Sequence, residues 1–172
     1  MAFATIDVTK GITGVTPVAN GGTGATSFAP GKIGQVVQAI STTQTYITST
    51  SLADTNLSAS ITPTATSSKV LVMISQISLT DRDNQDGFLK YKLVRDSTDI
   101  HEWTYIWRVE AGGASAVKNG GFTTLMYLDS PSTTSSVTYK TQGAISDTSN
   151  NGAARFQQSS KQSYIQLLEV LA

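Results

Sequence analysis

The sequence predicts an all-β protein whose main body is an antiparallel sandwich or jelly roll, and three observations carry that prediction. From Ile33 onward apolar residues recur in short runs bounded by turn-forming residues, and nowhere do they keep the i, i+3, i+4 spacing of an amphipathic helix. Charged residues make up 14% of the chain, well below the roughly 25% of an ordinary globular domain, while Ser, Thr, Asn, Gln and Gly are abundant. There is no cysteine, which excludes disulfides, thiolate nucleophiles and the usual structural zinc sites, so stability must come from packing and assembly.

Residues 1–14 hold one short alternating run, Thr5-Ile6-Asp7-Val8-Thr9, with too little apolar surface to offset the entropy of ordering it alone. Such an arm needs a partner to lie on, and fully extended the first 30 residues would reach about 100 Å at ~3.3 Å per residue. Pro17 fixes its own φ and presses Thr16 toward extended geometry; Asn20, Gly21, Gly22 and Gly24 then permit positive φ and close backbone approach. Two segments follow: an attachment arm with a glycine-rich hinge over 1–30, and a β head over 31–172. In the head, strands are expected at 33–40, 44–48, 55–61, 69–79, 88–95, 100–109, 122–128, 137–142, 155–158 and 164–171. Polar, Gly- or Pro-containing connections separate them: Pro63 with its Thr/Ser cluster, then 81–87, 96–99, 111–121, 129–131 and 147–152. The N-terminus has neither the basic start nor the apolar core of a signal peptide, and no run approaches the ~18 apolar residues of a membrane helix.

The segment Gly11-Ile12-Thr13-Gly14-Val15-Thr16-Pro17-Val18-Ala19-Asn20-Gly21-Gly22-Thr23-Gly24 resembles the L-P-V-A-N-G-G-T-G phrase of tail-fibre and related appendage proteins of tailed bacteriophages. The likeness continues less specifically through residues 31–38, 57–63 and 67–72. This chain has Thr16 where the family phrase has Leu, and it lacks the long shaft usual in that family. The resemblance implies a virion protein assembled in the host cytoplasm, docked on tail, baseplate or neck by its arm. It further implies a trimeric head that meets the host surface, with a host glycan as a partner.

Strands apolar on both faces agree with assembly. Val70, Val72 and Ile74 alternate with Leu71 and Met73, and Phe122, Met126 and Leu128 lie opposite Leu125 and Tyr127, whereas a solvated antiparallel sheet shows one polar face. Either a further layer of the same chain or neighbouring subunits cover the second face. With the fibre-like hinge, a homotrimer with its interface around a threefold axis is expected.

The chemistry-bearing residues are few. His101 is the only histidine, and no G-x-S-x-G elbow offers a nucleophile. The 81–87 stretch invites a calcium reading, but counted from Asp81 the glycine falls at position 7 and position 12 is Lys92, against glycine at 6 and glutamate at 12 in an EF-hand. Gly112-Gly113 lacks P-loop spacing, and no carboxylate pair stands out for glycosidase work. No enzymatic activity, metal or cofactor is therefore expected. Lys+Arg and Asp+Glu number 12 each without a basic cluster, which disfavours nucleic acid. Asp81, Arg82, Asp83, Asn84 and Asp86 form a candidate receptor-binding loop, the alternative being a plain polar hairpin tip. Strand alternation places His101, Trp103, Tyr105, Trp107 and Val109 on one face, read either as core or interface packing or as a sugar-stacking platform. Host contact is expected at the loop tips 81–87, 111–121 and 147–152 rather than on the aromatic strand. The competing functions are a capsid or neck decoration without a receptor role and, from another class, a polysaccharide depolymerase.

Overall fold

A computed structural model describes residues 32–82, 86–110 and 117–172; the hinge residues Pro17, Asn20, Gly21, Gly22 and Gly24, and Asp83 and Asn84, lie outside the described residues. Lys32–Ala172 forms one compact unit. Its strands are β1 (Ile33–Ser41), β2 (Thr45–Ile47), β3 (Ala53–Ile61), β4 (Lys69–Arg82), β5 (Gly87–Arg95), β6 (Thr98–Val109), β7 (Val117–Asp129), β8 (Val137–Ile145), β9 (Ala153–Phe156) and β10 (Ser163–Val170). Every pairing is antiparallel, and the strands build a two-sheet sandwich.

The first sheet is organised around β4. Its full length from Val70 to Arg82 pairs with β7, while the opposite edge is shared end to end by β10 (along Lys69–Ser75) and β9 (along Ser78–Asp81). β1 flanks β10, and β2 flanks β9. The second sheet runs β3–β8–β5–β6. Strand alternation sends Val70, Val72 and Ile74 of β4 into the space between the sheets, against Leu89, Tyr91 and Leu93 of β5 and Leu57 and Ile61 of β3. Each such side chain is fully or almost fully buried, worth about 1.5–3 kcal/mol against exposure.

Two strands extend beyond the sequence expectation. β7 begins at Val117, inside the stretch expected as a 111–121 connection, because Gly120 faces Leu79 so closely that a Cβ there would stand 2.2 Å from the Leu79 Cβ. A glycine that would break an isolated strand here lets two backbones meet. β4 continues through Asp81 and Arg82, which corrects their placement in an exposed loop: Asp81 is buried beside Arg155, and Arg82 is fully buried.

Polar residues occupy the inward face along β4: toward its Arg82 end Thr80 Oγ1 and Arg82 Nε have no hydrogen-bond partner, whereas at two other levels the buried groups are bonded. At the middle, Gln76 accepts from the Tyr91 hydroxyl and from Thr141 Oγ1 (3.1 Å) and donates to Thr55 Oγ1 (2.9 Å). Burial pushes the Tyr91 phenol far above its ordinary pKa, so it stays a neutral donor. Near Val70, Asp129 accepts from Tyr139 (2.6 Å) and from Arg95. Beside it Glu169 accepts from Gln35 Nε2 (2.8 Å), Thr64 N (2.6 Å) and Thr64 Oγ1 (2.7 Å). Burial of Glu169 opposes its ionised form, but these donors outweigh it and the pKa falls from 4.5 to about 2.

Two outcomes test these clamps. Gln76→Leu takes the Gln76 acceptor from the buried Tyr91 hydroxyl and the Gln76 donor from Thr55 and should cost about 1–3 kcal/mol, whereas Tyr91→Phe leaves Gln76 its Thr141 donor and should cost about 1 kcal/mol. Because the two share one network, the double variant should cost less than the sum, as read from denaturant midpoints at constant slope. Glu169 has a depressed folded-state pKa, so its stabilisation is complete above about pH 4.5 and is lost as pH falls toward 2. Glu169→Gln should be less stable than the native chain at pH 7 and show a shallower loss of melting temperature between pH 4.5 and 2.

Candidate functional site

The strand ends that flank the connections 81–87 and 111–121 meet the 147–152 segment at one end of the sandwich. β4 ends there at Arg82 opposite Val117, and β5 starts at Gly87 opposite Val109. The Arg82 guanidinium ties in the third, donating to the carbonyls of Asp147 and Ser149 (both 3.1 Å) with the Asp147 carboxylate at 3.6 Å. Its aliphatic stem packs against Gly87, where a Cβ would lie 2.2 Å from Arg82 Cδ. The Ser149 N–H (2.7 Å) and the Arg82 charge hold the Asp147 carboxyl below its usual range. Arg82 is thus the buried post on which this end is mounted. Asp81 bonds Arg155 (2.8 Å to Nε) and sits 3.9 Å from Lys118. Of the candidate loop residues, Asp86 is exposed and accepts from Arg108 at 3.4 Å; Asp83 and Asn84 are outside the described residues.

The aromatic strand does not keep the single face that simple alternation predicts. β6 pairs with β5 through three register shifts, two of which fall between Trp103 and Val109, and Tyr105 and Trp107 there take left-handed backbone (φ 61° and 48°). Each bulge inserts an extra residue and turns the side chains that follow. Trp103 and Trp107 pack against the core, Trp107 donating from Nε1 to Thr123 Oγ1 (2.6 Å) on the first sheet. His101 stacks on Tyr127 and meets Trp103 edge-on. Tyr105 is turned to solvent with 65% exposure and stacks on Phe88, ring centroids 4.2 Å apart.

That stack borders an open cleft of about 250 Å³ lined by Asp86, Gly87, Phe88, Tyr105, Arg108 and Ser146. An exposed flat ring beside a guanidinium, a carboxylate and a hydroxyl offers an apolar platform with donors and acceptors at its rim. Such a set suits a sugar ring, whose C–H face stacks and whose hydroxyls take part in hydrogen bonds in both directions. Backbone strain at two non-glycine residues beside an exposed cleft is the pattern found at ligand sites, at a cost of order 1 kcal/mol or more per residue. Phe88, Arg108 and Ser146 were not singled out in the sequence, and only the bulges bring them to Tyr105. Among the described residues no group of three or more His, Asp or Glu is arranged to hold a metal ion.

The variants separate scaffold from site. Trp103→Ala and Trp107→Ala, which open the core edge, should each lose stability toward the lower end of the about 3–5 kcal/mol typical of aromatic truncation. Tyr105→Gly relieves a left-handed side-chain residue and removes no core contact, so its melting temperature should hold or rise. Thermal melts of the three variants check this directly.

No protein-family model matches the chain, and no curated protein matches it. Among solved structures it is similar to a chain from "Structure of infectious bursal disease virus Gt strain", with 11% identity and a TM-score of 0.33. That alignment covers 86% of this chain and 40% of the other, so this chain spans less than half the length of that protein.

Proposed function

We propose that this chain is a non-enzymatic structural protein of a phage virion, a tail fibre or fibre-like appendage. It docks on the particle through residues 1–30 and presents its β head to the host cell surface. The observation that carries the reading is the Val18-Ala19-Asn20-Gly21-Gly22-Thr23-Gly24 hinge placed directly before a sandwich domain. The head supports it by having a rigid two-sheet scaffold that brings the strand ends flanking three of its polar connections to one end, the arrangement in which loops serve recognition. On this reading the contact with the host is made at that end, on a surface glycan, by the Tyr105–Phe88 platform with Arg108 and Asp86.

Phage particles assembled with a chain lacking residues 1–30 should contain none of this protein, by immunoblot of purified virions, while the shortened chain accumulates in the lysate. Incorporation at the native level would remove the docking role from the arm. Particles carrying Tyr105→Gly should keep native copy numbers and adsorb to host cells several-fold more slowly; unchanged adsorption would favour a decoration without receptor contact. Release of reducing ends from host capsule or lipopolysaccharide by the purified protein would instead establish a depolymerase.

A further inference from the structure

The outer face of the first sheet is apolar across four adjacent strands. Alternation turns Leu71 and Met73 of β4, Leu168 of β10, Val36 and Ile40 of β1, and Met126 of β7 away from the core onto this one surface. Val36 is 60% exposed, Met126 61% and Phe122, farther along β7, 55%. Between Leu71 and Ile77 this face carries no charged side chain; Lys69 stands at one end, and at the other Asp81 pairs with Arg155 and Lys118, which leaves a surplus of positive charge there. The polar groups in the middle bond locally, as in the Gln38–Gln166 amide pair (2.7 Å).

Its extent is that of an interface core. Four strands at ~4.8 Å spacing and about seven residues at ~3.3 Å give a flat footprint of roughly 400 Å², before side-chain relief is added. The largest contiguous apolar patches on monomers measure about 300–600 Å² and are often functional, and a standard interface takes ~800 Å² from each partner as an apolar core within a polar rim. The relief is also self-complementary. A depression of about 260 Å³ lies at the centre among Met73, Ser75, Thr124, Tyr164 and Gln166, and an apolar one of about 300 Å³ lies at the Lys69 end beside Leu128 and Val170. Phe122 and Met126 project beside them. One surface therefore carries both knobs and holes, and its middle, from Leu71 to Ile77, has no charge to repel a copy of itself across the contact.

We propose that this face is covered by further copies of this chain, β7 of one head packing its Phe122 and Met126 into the β4–β10 depression of another. The contact is built entirely from Lys32–Ala172 and does not depend on the virion reading. A head that associates this way but never enters a particle would uphold the contact and sink the proposed function.

Light scattering on the full chain at micromolar concentration should give an integral multiple of 18.1 kDa. The double variant Val36→Glu/Met126→Glu, changed only at exposed positions, should give 18.1 kDa with an unaltered β circular-dichroism spectrum. A native chain of single-chain mass overturns the proposal, and so does a double variant that folds and keeps the native multiple. If the double variant fails to fold, Met126→Cys decides, since the chain has no other thiol. In the multimer that thiol should react with a maleimide at least tenfold more slowly than after dilution to single chains; fast labelling of the intact multimer overturns the proposal.

Discussion

Gln76 sits at the middle of β4 with its amide in the closed space between two sheets, where only protein groups can satisfy it. An unbonded amide in such a place is costly, and the arrangement of both sheets follows from avoiding that cost. The strand period is two, so a slip of β4 by one residue would turn Gln76 to solvent, bring Ser75 or Ile77 inward, and take from the Tyr91 hydroxyl its Gln76 acceptor. Because β4 pairs with β7 on one edge and with β10 and β9 on the other, pinning β4 pins the whole first sheet. Because the acceptors and donors come from β3, β5 and β8, the same amide fixes one sheet relative to the other. Asp129 with Glu169 at one end and Arg82 at the other repeat the device. Apolar burial supplies most of the driving force for the sandwich, but it tolerates alternative registers; the polar levels select one.

The strands themselves were legible. Short apolar runs, their turn-forming boundaries and the shortage of charge identify ten strands at nearly their observed positions, because period-two burial is a local property that a single sequence displays. What stayed hidden was every feature decided by a partner across space. Gly120 reads as a turn residue until Leu79 is seen against it, and Asp81 and Arg82 read as a hairpin tip because charge usually marks solvent. Here an inward arginine is made acceptable by two backbone carbonyls from a segment more than sixty residues away in sequence. The aromatic strand shows the same limit. Alternation puts Trp103, Tyr105 and Trp107 on one face, yet two bulges in β6 send Tyr105 out and leave the tryptophans on the core, and no residue in that stretch announces a bulge. The candidate cleft was half-legible for this reason: its loops could be named, but Phe88, Arg108 and Ser146 join Tyr105 only through the bulged register.

The two outer faces of the sandwich differ in a way that neither sheet's backbone requires. On the second sheet Lys92 meets Asp99 (2.7 Å) and Glu102 (3.7 Å), and Lys140 meets Asp54 (2.8 Å), a solvated surface of exposed and half-exposed charges. Such pairs add little stability, about 0–1 kcal/mol each, but they keep a face wet and unattractive to other sheets. In a chain with 14% charged residues, placing them there and around the loop end leaves the first sheet bare from Leu71 to Ile77. On the proposed reading the division gives each surface a different task. A charged second face resists association, the loop end at its border gathers strained aromatic and polar groups suited to a small polar ligand, and the uncharged first face is suited to a neighbour. The proposed recognition and the proposed assembly are compatible in one small domain, because Tyr105 and Phe88 lie on the outer side of the second sheet, across the sandwich from the apolar surface. A copy packed on the first sheet leaves that cleft open, so association would multiply the number of binding sites without blocking any of them. For a site with few contacts per copy, such multiplicity raises overall avidity far more than refinement of one cleft would.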